Sequence, residues 1–184
     1  MKNKNLRALT EGAVMVALSI ALSFLKIPIG AGFGGFGGSI DLVMVPLIIY
    51  AVRYNAAWGL GAGLVFGTIK YFLGGSAIDW VSIIFDYSAA YMFVGFAGLL
   101  NKTYKTLPLA ALIGCFGRFA VHFVSGVTVY AKWMPEEFMG ISGMTPPLYS
   151  LLYNGTYMLP NTILAIAVCA ALIVPMQKLD KTKK

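Results

Sequence analysis

Charge is what this sequence has least of. Charged side chains are 11% of its 184 residues, against 59% apolar ones, whereas a soluble domain carries roughly 25% charged residues. No polar surface can be assembled around so much apolar side chain, so the solvent for most of the chain is lipid. Histidine occurs once and cysteine twice, which excludes a Cys/His metal centre and a disulfide framework. Cys115 and Cys169 lie inside apolar runs and read as small buried hydrophobes. Paired carboxylates at catalytic spacing, a Ser/His/Asp arrangement and GxxxxGK[ST] are all missing, so the glycine run Gly30–Gly38 is not a phosphate loop and no enzyme constellation emerges. The net charge of +7 comes from the termini and short connections, not from a basic stripe beside aromatics, so nucleic acid is not an expected partner.

What is present is a succession of long apolar runs. A spanning helix needs about 20 apolar residues, or about 17 at the short end. Six segments approach this, at about 6–26, 40–54, 56–73, 80–100, 107–131 and 147–175. The expectation is an all-α integral membrane bundle of six transmembrane helices forming a single domain over 1–184. The first run, Leu6 to Phe24, lacks a small-residue exit site and reads as a retained helix rather than a leader. Helices two and three are joined only by Arg53, Tyr54 and Asn55, which requires a tight hairpin. Gly59, Gly61, Gly63 and Gly67 on helix three suit close helix packing.

The cations set the orientation. Lys2, Lys4, Arg7, Arg53, Lys102, Lys105, Lys178, Lys181, Lys183 and Lys184 fall on one side, and Lys132 with the edge residues Lys26 and Lys70 on the other. Short loops rich in Lys and Arg stay in the cytoplasm, so both termini are expected there, in a multi-pass protein of the cell membrane. The outer loops carry Asp79, Glu136 and Glu137. Two of them mix glycine with large apolar residues. The first of these, with Phe33 and Phe36, has the make-up of a lid over an outward-facing pocket, or else of an interfacial loop resting on headgroups.

Ionisable residues within spans are costly and mark function by default. Asp86 lies in helix four, and Arg118 and His122 lie in helix five. Arg118, His122, Gly126 and Tyr130 recur at i+4 and share a helix face. Tyr149 and Asn154 open helix six. Asp86, His122 and Asn154 are expected to converge in the outer half of the bundle. An Asp86–Arg118 ion pair is the alternative account of the carboxylate, and Asn154 as a helix bridge is the alternative for the amide. A carboxylate, aromatic rings and hydrogen-bonding groups together describe a pocket for a small, flat, cationic ligand.

The segments Gly38–Pro46, Phe85–Tyr87, His122–Gly126 and Tyr149–Asn154 are where the sequence resembles the thiamine-specific substrate-binding subunits (S-components) of energy-coupling factor transporters, over nearly the whole chain. The resemblance implies high-affinity thiamine binding and transport, with Asp86, Tyr87, His122, Gly126, Tyr130, Tyr149 and Asn154 lining the pocket. Asp86 stands where some members have Glu, and Tyr130 where some have Trp; Trp133, one turn further, is the other candidate for that ring. Asp86 is assigned to the aminopyrimidine, His122 with Tyr130 or Trp133 to the ring faces, and Tyr149 and Asn154 to polar edges.

The resemblance also implies partners: a transmembrane coupling subunit and two cytoplasmic ATPases, with no cofactor and no metal in this subunit. Ala13, Ala17 and Ala21 form a small-xxx-small stripe on helix one. Packing within the bundle accounts for such a stripe, and the resemblance makes it the docking face for the coupling subunit. An S-component for another vitamin such as riboflavin, a small channel and an intramembrane enzyme are the rival readings. A channel needs a polar stripe through the whole bundle, and here the polar residues cluster toward one half.

Overall fold

The computed structural model describes residues 2–29, 37–100 and 103–181, and it is an all-α bundle. Its helices are α1 (Lys2–Ser23), α2 (Met44–Arg53), α3 (Ala56–Phe72), α4 (Trp80–Leu99), α5 (Leu107–Thr128) and α6 (Pro146–Lys181). Four of the described helices are long and apolar enough to cross a membrane: α1, α4, α5 with its leading turn, and α6. The seventeen-residue α3 and ten-residue α2 complete the set. Two short antiparallel hairpins, β1–β2 (Ile27–Pro28 with Ser39–Ile40) and β3–β4 (Glu137–Phe138 with Ile141–Ser142), lie between helices. Phe33 and Phe36 lie outside the described residues.

The second helix is shorter than the hydropathy of 40–54 implies. At 1.5 Å per residue, ten residues reach about 15 Å, half of a hydrocarbon core. The reason lies at its start. Asp41 accepts a hydrogen bond from the Val43 backbone at 3.3 Å, and its own N–H donates to Asn161 of α6 at 2.9 Å. Asn161 also donates to the Ser39 carbonyl at 2.7 Å. These bonds commit 39–41 to the hairpin and its exit, so the helix starts at Met44. Pro46 is tolerated because the first turn has no internal partner for its missing N–H. Met44 to Val52 are all buried, which makes α2 the axis of the core. The sixth helix differs the other way: it runs through Pro175 to Lys181.

Helix α3 packs on α4 through glycine. A Cβ on Gly63 or Gly67 would strike the backbone of Tyr91 or Tyr87, and one on Gly59 would meet Gly95. Gly61 faces open space and takes no part. Helix α4 is irregular: a capping box at Asp79–Ser82 starts it, Ile84–Ala89 are a π-helical segment, and Gly95–Leu99 tighten into 3₁₀. Ala13, Ala17 and Ala21 are exposed on α1, while Gly12, Val16 and Ser19 face the bundle. The middle of α1 is held to the hairpin between α2 and α3 by Arg53, which lies 2.8 Å from Glu11 and donates to Tyr104 at 2.9 Å.

Candidate functional site

A cavity of about 350 Å³ opens at the end of the bundle that carries the β1–β2 hairpin. That volume lies in the range of small-molecule sites. The π-helical segment positions Asp86 and Tyr87, adjacent residues that both reach the lining. In an α-helix neighbours diverge by about 100°, and π segments often mark functional positions. Tyr87 is fixed from outside: its hydroxyl donates to the Ser76 carbonyl at 2.9 Å and accepts from the Ser76 N–H at 2.7 Å.

Asp86 is engaged on both oxygens. His122 Nδ1 lies 3.3 Å from Oδ1, and the Tyr130 hydroxyl donates to Oδ2 at 2.7 Å. Tyr130 reaches it from the 3₁₀ turn Tyr130–Trp133 that extends α5. Arg118, one turn before His122, is 6% exposed and borders the cavity. Its Nε donates to His122 Nε2 at 3.3 Å, and its guanidinium carbon sits 4.2 Å from the centroid of Tyr91. The ion pair expected as the alternative, Asp86 with Arg118, does not form among the described residues, because His122 stands between them.

Helix α6 supplies the opposite wall. Asn154 donates to the Ser150 carbonyl at 2.9 Å and to the His122 carbonyl at 3.3 Å, and its Oδ1 accepts from the Tyr157 hydroxyl. The amide therefore ties α6 to α5 as well as facing the site. Gly126 gives Ser150 room to lie against α5, since a Cβ there would collide with the Ser150 side chain. Tyr149 stacks on Tyr153 at 5.6 Å, and Phe138 of the β3–β4 hairpin packs edge-on against both. Tyr153 also donates to the Gly37 carbonyl, which joins the first outer loop to this wall.

Asp86, Tyr87, His122, Gly126, Tyr130, Tyr149 and Asn154 thus all border one cavity, and Trp133 does not; it is 54% exposed. Sequence reasoning missed a charge pair beside the cavity. Asp41, 4% exposed, lies 3.4 Å from Lys70, which also donates to the Tyr91 hydroxyl at 2.6 Å. Lys70, Ser39, Tyr91, Tyr153 and Tyr157 all line the cavity. The signal available was Asp41 itself, an acid at the head of an apolar run. Six tyrosines face the space, with one carboxylate held among them. Such a lining offers ring faces to a flat ligand and takes an N–H donor at the carboxylate, beside the cations Lys70 and Arg118. No group of three or more His, Cys, Asp or Glu side chains gathers among the described residues.

The pattern of the family described as thiamine transporter protein matches residues 9–181. The chain is 28% identical, over a 202-residue alignment covering 100% of it and 98% of the relative, to the thiamine transporter ThiT of Bacillus subtilis (strain 168). It is 25% identical to the thiamine transporter ThiT of Lacticaseibacillus paracasei, covering 99% and 94%. The solved structure of ThiT from Listeria monocytogenes superposes with a TM-score of 0.79 at 26% identity, covering 96% of this chain and 98% of that one.

Proposed function

The chain belongs to the family of thiamine transporter proteins, and from that membership we propose that it binds thiamine in the tyrosine-lined cavity and carries it across the cell membrane as the substrate-binding subunit of an energy-coupling factor transporter. The observation that carries the reading is Asp86, a carboxylate bordering the cavity, oriented by His122 and Tyr130. Thiamine joins an aminopyrimidine to a permanently cationic thiazolium. The amino group donates to Asp86 in a charge-assisted hydrogen bond. The thiazolium lies against ring faces, from Tyr130, His122 and their neighbours, at roughly 0.5–2 kcal/mol each. Tyr149 and Asn154 complete the wall, and the reading calls on no cofactor.

The sequence holds no P-loop, so ATP hydrolysis falls to partners: a transmembrane coupling subunit and two cytoplasmic ATPases. The exposed Ala13–Ala17–Ala21 stripe on α1 suits the close approach of a partner helix in lipid. The cation distribution supports cytoplasmic termini. Calorimetric titration of the detergent-purified protein against thiamine, riboflavin and other vitamins tests the reading. Saturable, tight binding of thiamine alone is expected; binding of riboflavin in its place overturns it.

A further inference from the structure

We propose that Arg118 is a positioning residue, which acts through His122 to set the hydrogen-bonding state of Asp86. The inference rests on the thiamine reading only for its consequence, the effect on ligand affinity. Its first step is donor and acceptor chemistry. A guanidinium has N–H donors and no acceptor. In the 3.3 Å contact between Arg118 Nε and His122 Nε2, the ring nitrogen must therefore accept, and it carries no proton. The proton of a neutral imidazole then sits on Nδ1. Nδ1 faces Asp86 Oδ1 at 3.3 Å, and an ionised carboxylate only accepts. The bonds run in one direction, from Arg118 to His122 to Asp86, and Tyr130 closes the chain at Oδ2 from the other side.

The other states of the ring fit worse. The Nε2–H tautomer would set an N–H against the guanidinium and a lone pair against the carboxylate, losing both bonds. The imidazolium keeps the bond to Asp86 and loses the one to Arg118. The arginine thus selects the one tautomer that donates to Asp86, and each carboxylate oxygen keeps a lone pair for a ligand. Arg118 is itself held, with its guanidinium carbon 4.2 Å from the Tyr91 ring centroid. Its Nη1 is buried without a hydrogen-bond partner among the described residues, so direct contact with the ligand is the competing role.

The chain has one histidine, so ¹⁵N-histidine labelling gives a single imidazole to read. In ligand-free protein in nanodiscs, the expected spectrum shows Nδ1 protonated and Nε2 bare. An Nε2–H tautomer or an imidazolium overturns the proposal without any variant. Glutamine places its amide nitrogen where Nε of arginine stands, whereas methionine offers no donor. Arg118→Gln should keep the tautomer and most of the thiamine affinity. Arg118→Met should mix the tautomers and weaken binding by about tenfold, the loss of roughly one hydrogen bond's worth of order at Asp86. An unchanged tautomer in Arg118→Met overturns the proposal, and a fall in affinity beside it assigns Arg118 to the ligand directly. If Arg118→Met does not fold, the ¹⁵N–¹⁵N coupling across the hydrogen bond from Arg118 Nε to His122 Nε2 in the arginine- and histidine-labelled wild type decides, and its absence overturns the proposal. A wild-type protein that shows the expected tautomer and fails to bind thiamine removes the functional reading and leaves the relay standing.

Discussion

The Tyr130 hydroxyl donates to Oδ2 of Asp86 across 2.7 Å, joining residues 44 positions apart. The ring that extends α5 and the charge on α4 are therefore tied together as one unit of the cavity wall. Asp86 is a short carboxylate, and the Tyr130 hydroxyl reaches it from the 3₁₀ turn that extends α5.

Removing the charge tests that unit first. Asp86→Asn keeps shape and volume. A hydrogen bond to a charged group contributes about 1.5–3 kcal/mol, so thiamine affinity should fall by about one to two orders of magnitude. Titration of folded, monodisperse Asp86→Asn measures it. Unchanged affinity would take Asp86 out of the site and reopen the choice of ligand.

Tyr130 and Trp133 separate next, because only Tyr130 borders the cavity. Tyr130→Phe keeps the ring and loses a hydroxyl bond worth about 1 kcal/mol, so affinity should drop by roughly fivefold. Tyr130→Ala should lose more. Trp133→Ala should bind like the wild type. A loss at Trp133 larger than at Tyr130 would show that Trp133 turns inward to carry the thiazolium.

The Asp41–Lys70 pair predicts a stability effect. Asp41 is buried while Lys70 is only partly so and borders the cavity, so removing one member costs less than the roughly 3–5 kcal/mol of a fully buried pair. Asp41→Asn and Lys70→Met should each lower the thermal midpoint in detergent. The double variant should lose less than the sum, since the two residues interact directly. Strict additivity would mean that Asp41 is held by Ser39 and the backbone alone.

The bundle and most of the cavity lining were legible in the sequence, and the reasons are physical. Lipid forces apolar runs and makes each embedded ionisable residue costly, so Asp86, Arg118 and His122 stand out unaided. The i+4 spacing put Arg118, His122, Gly126 and Tyr130 on one face. What was not legible depended on contacts distant in sequence. Asn161 reaches Asp41 across 120 positions, and nothing local at either residue marks the pairing or the late start of α2. The π-helical turn at Ile84–Ala89 breaks the 3.6 periodicity on which face assignment rests, so the shared orientation of Asp86 and Tyr87 could not be read. Trp133 was equivalent to Tyr130 on residue type alone, and the 3₁₀ turn separates them.

The glycines of α3 divide by the same test of contact. Gly63→Ala places a methyl against the Tyr91 backbone, which cannot yield as a side chain tip can, whereas Gly61→Ala enters open space. The first should destabilise the protein strongly. The second should be neutral or slightly stabilising, by up to about 1 kcal/mol from helix propensity. Equal midpoints for the two variants would contradict the close approach of α3 and α4.

The alanine stripe separates binding from coupling. Ala13, Ala17 and Ala21 are exposed, so a larger side chain at Ala17 meets no neighbour within the described bundle's interior, and the fold should tolerate it. If the stripe receives the coupling subunit, Ala17→Trp holds the two helices apart where small residues alone allow contact. Thiamine binding by the isolated subunit should then match the wild type, because the stripe lies on α1 and Ala17 is not among the residues lining the cavity. Co-purification with the coupling subunit and ATPases, and thiamine uptake by cells, should both be lost. Binding lost with assembly intact would instead make the stripe part of the subunit's own packing. Both retained would move the docking surface to another face, with the exposed Leu9, Val14 and Leu18 of the same helix as the next positions to substitute.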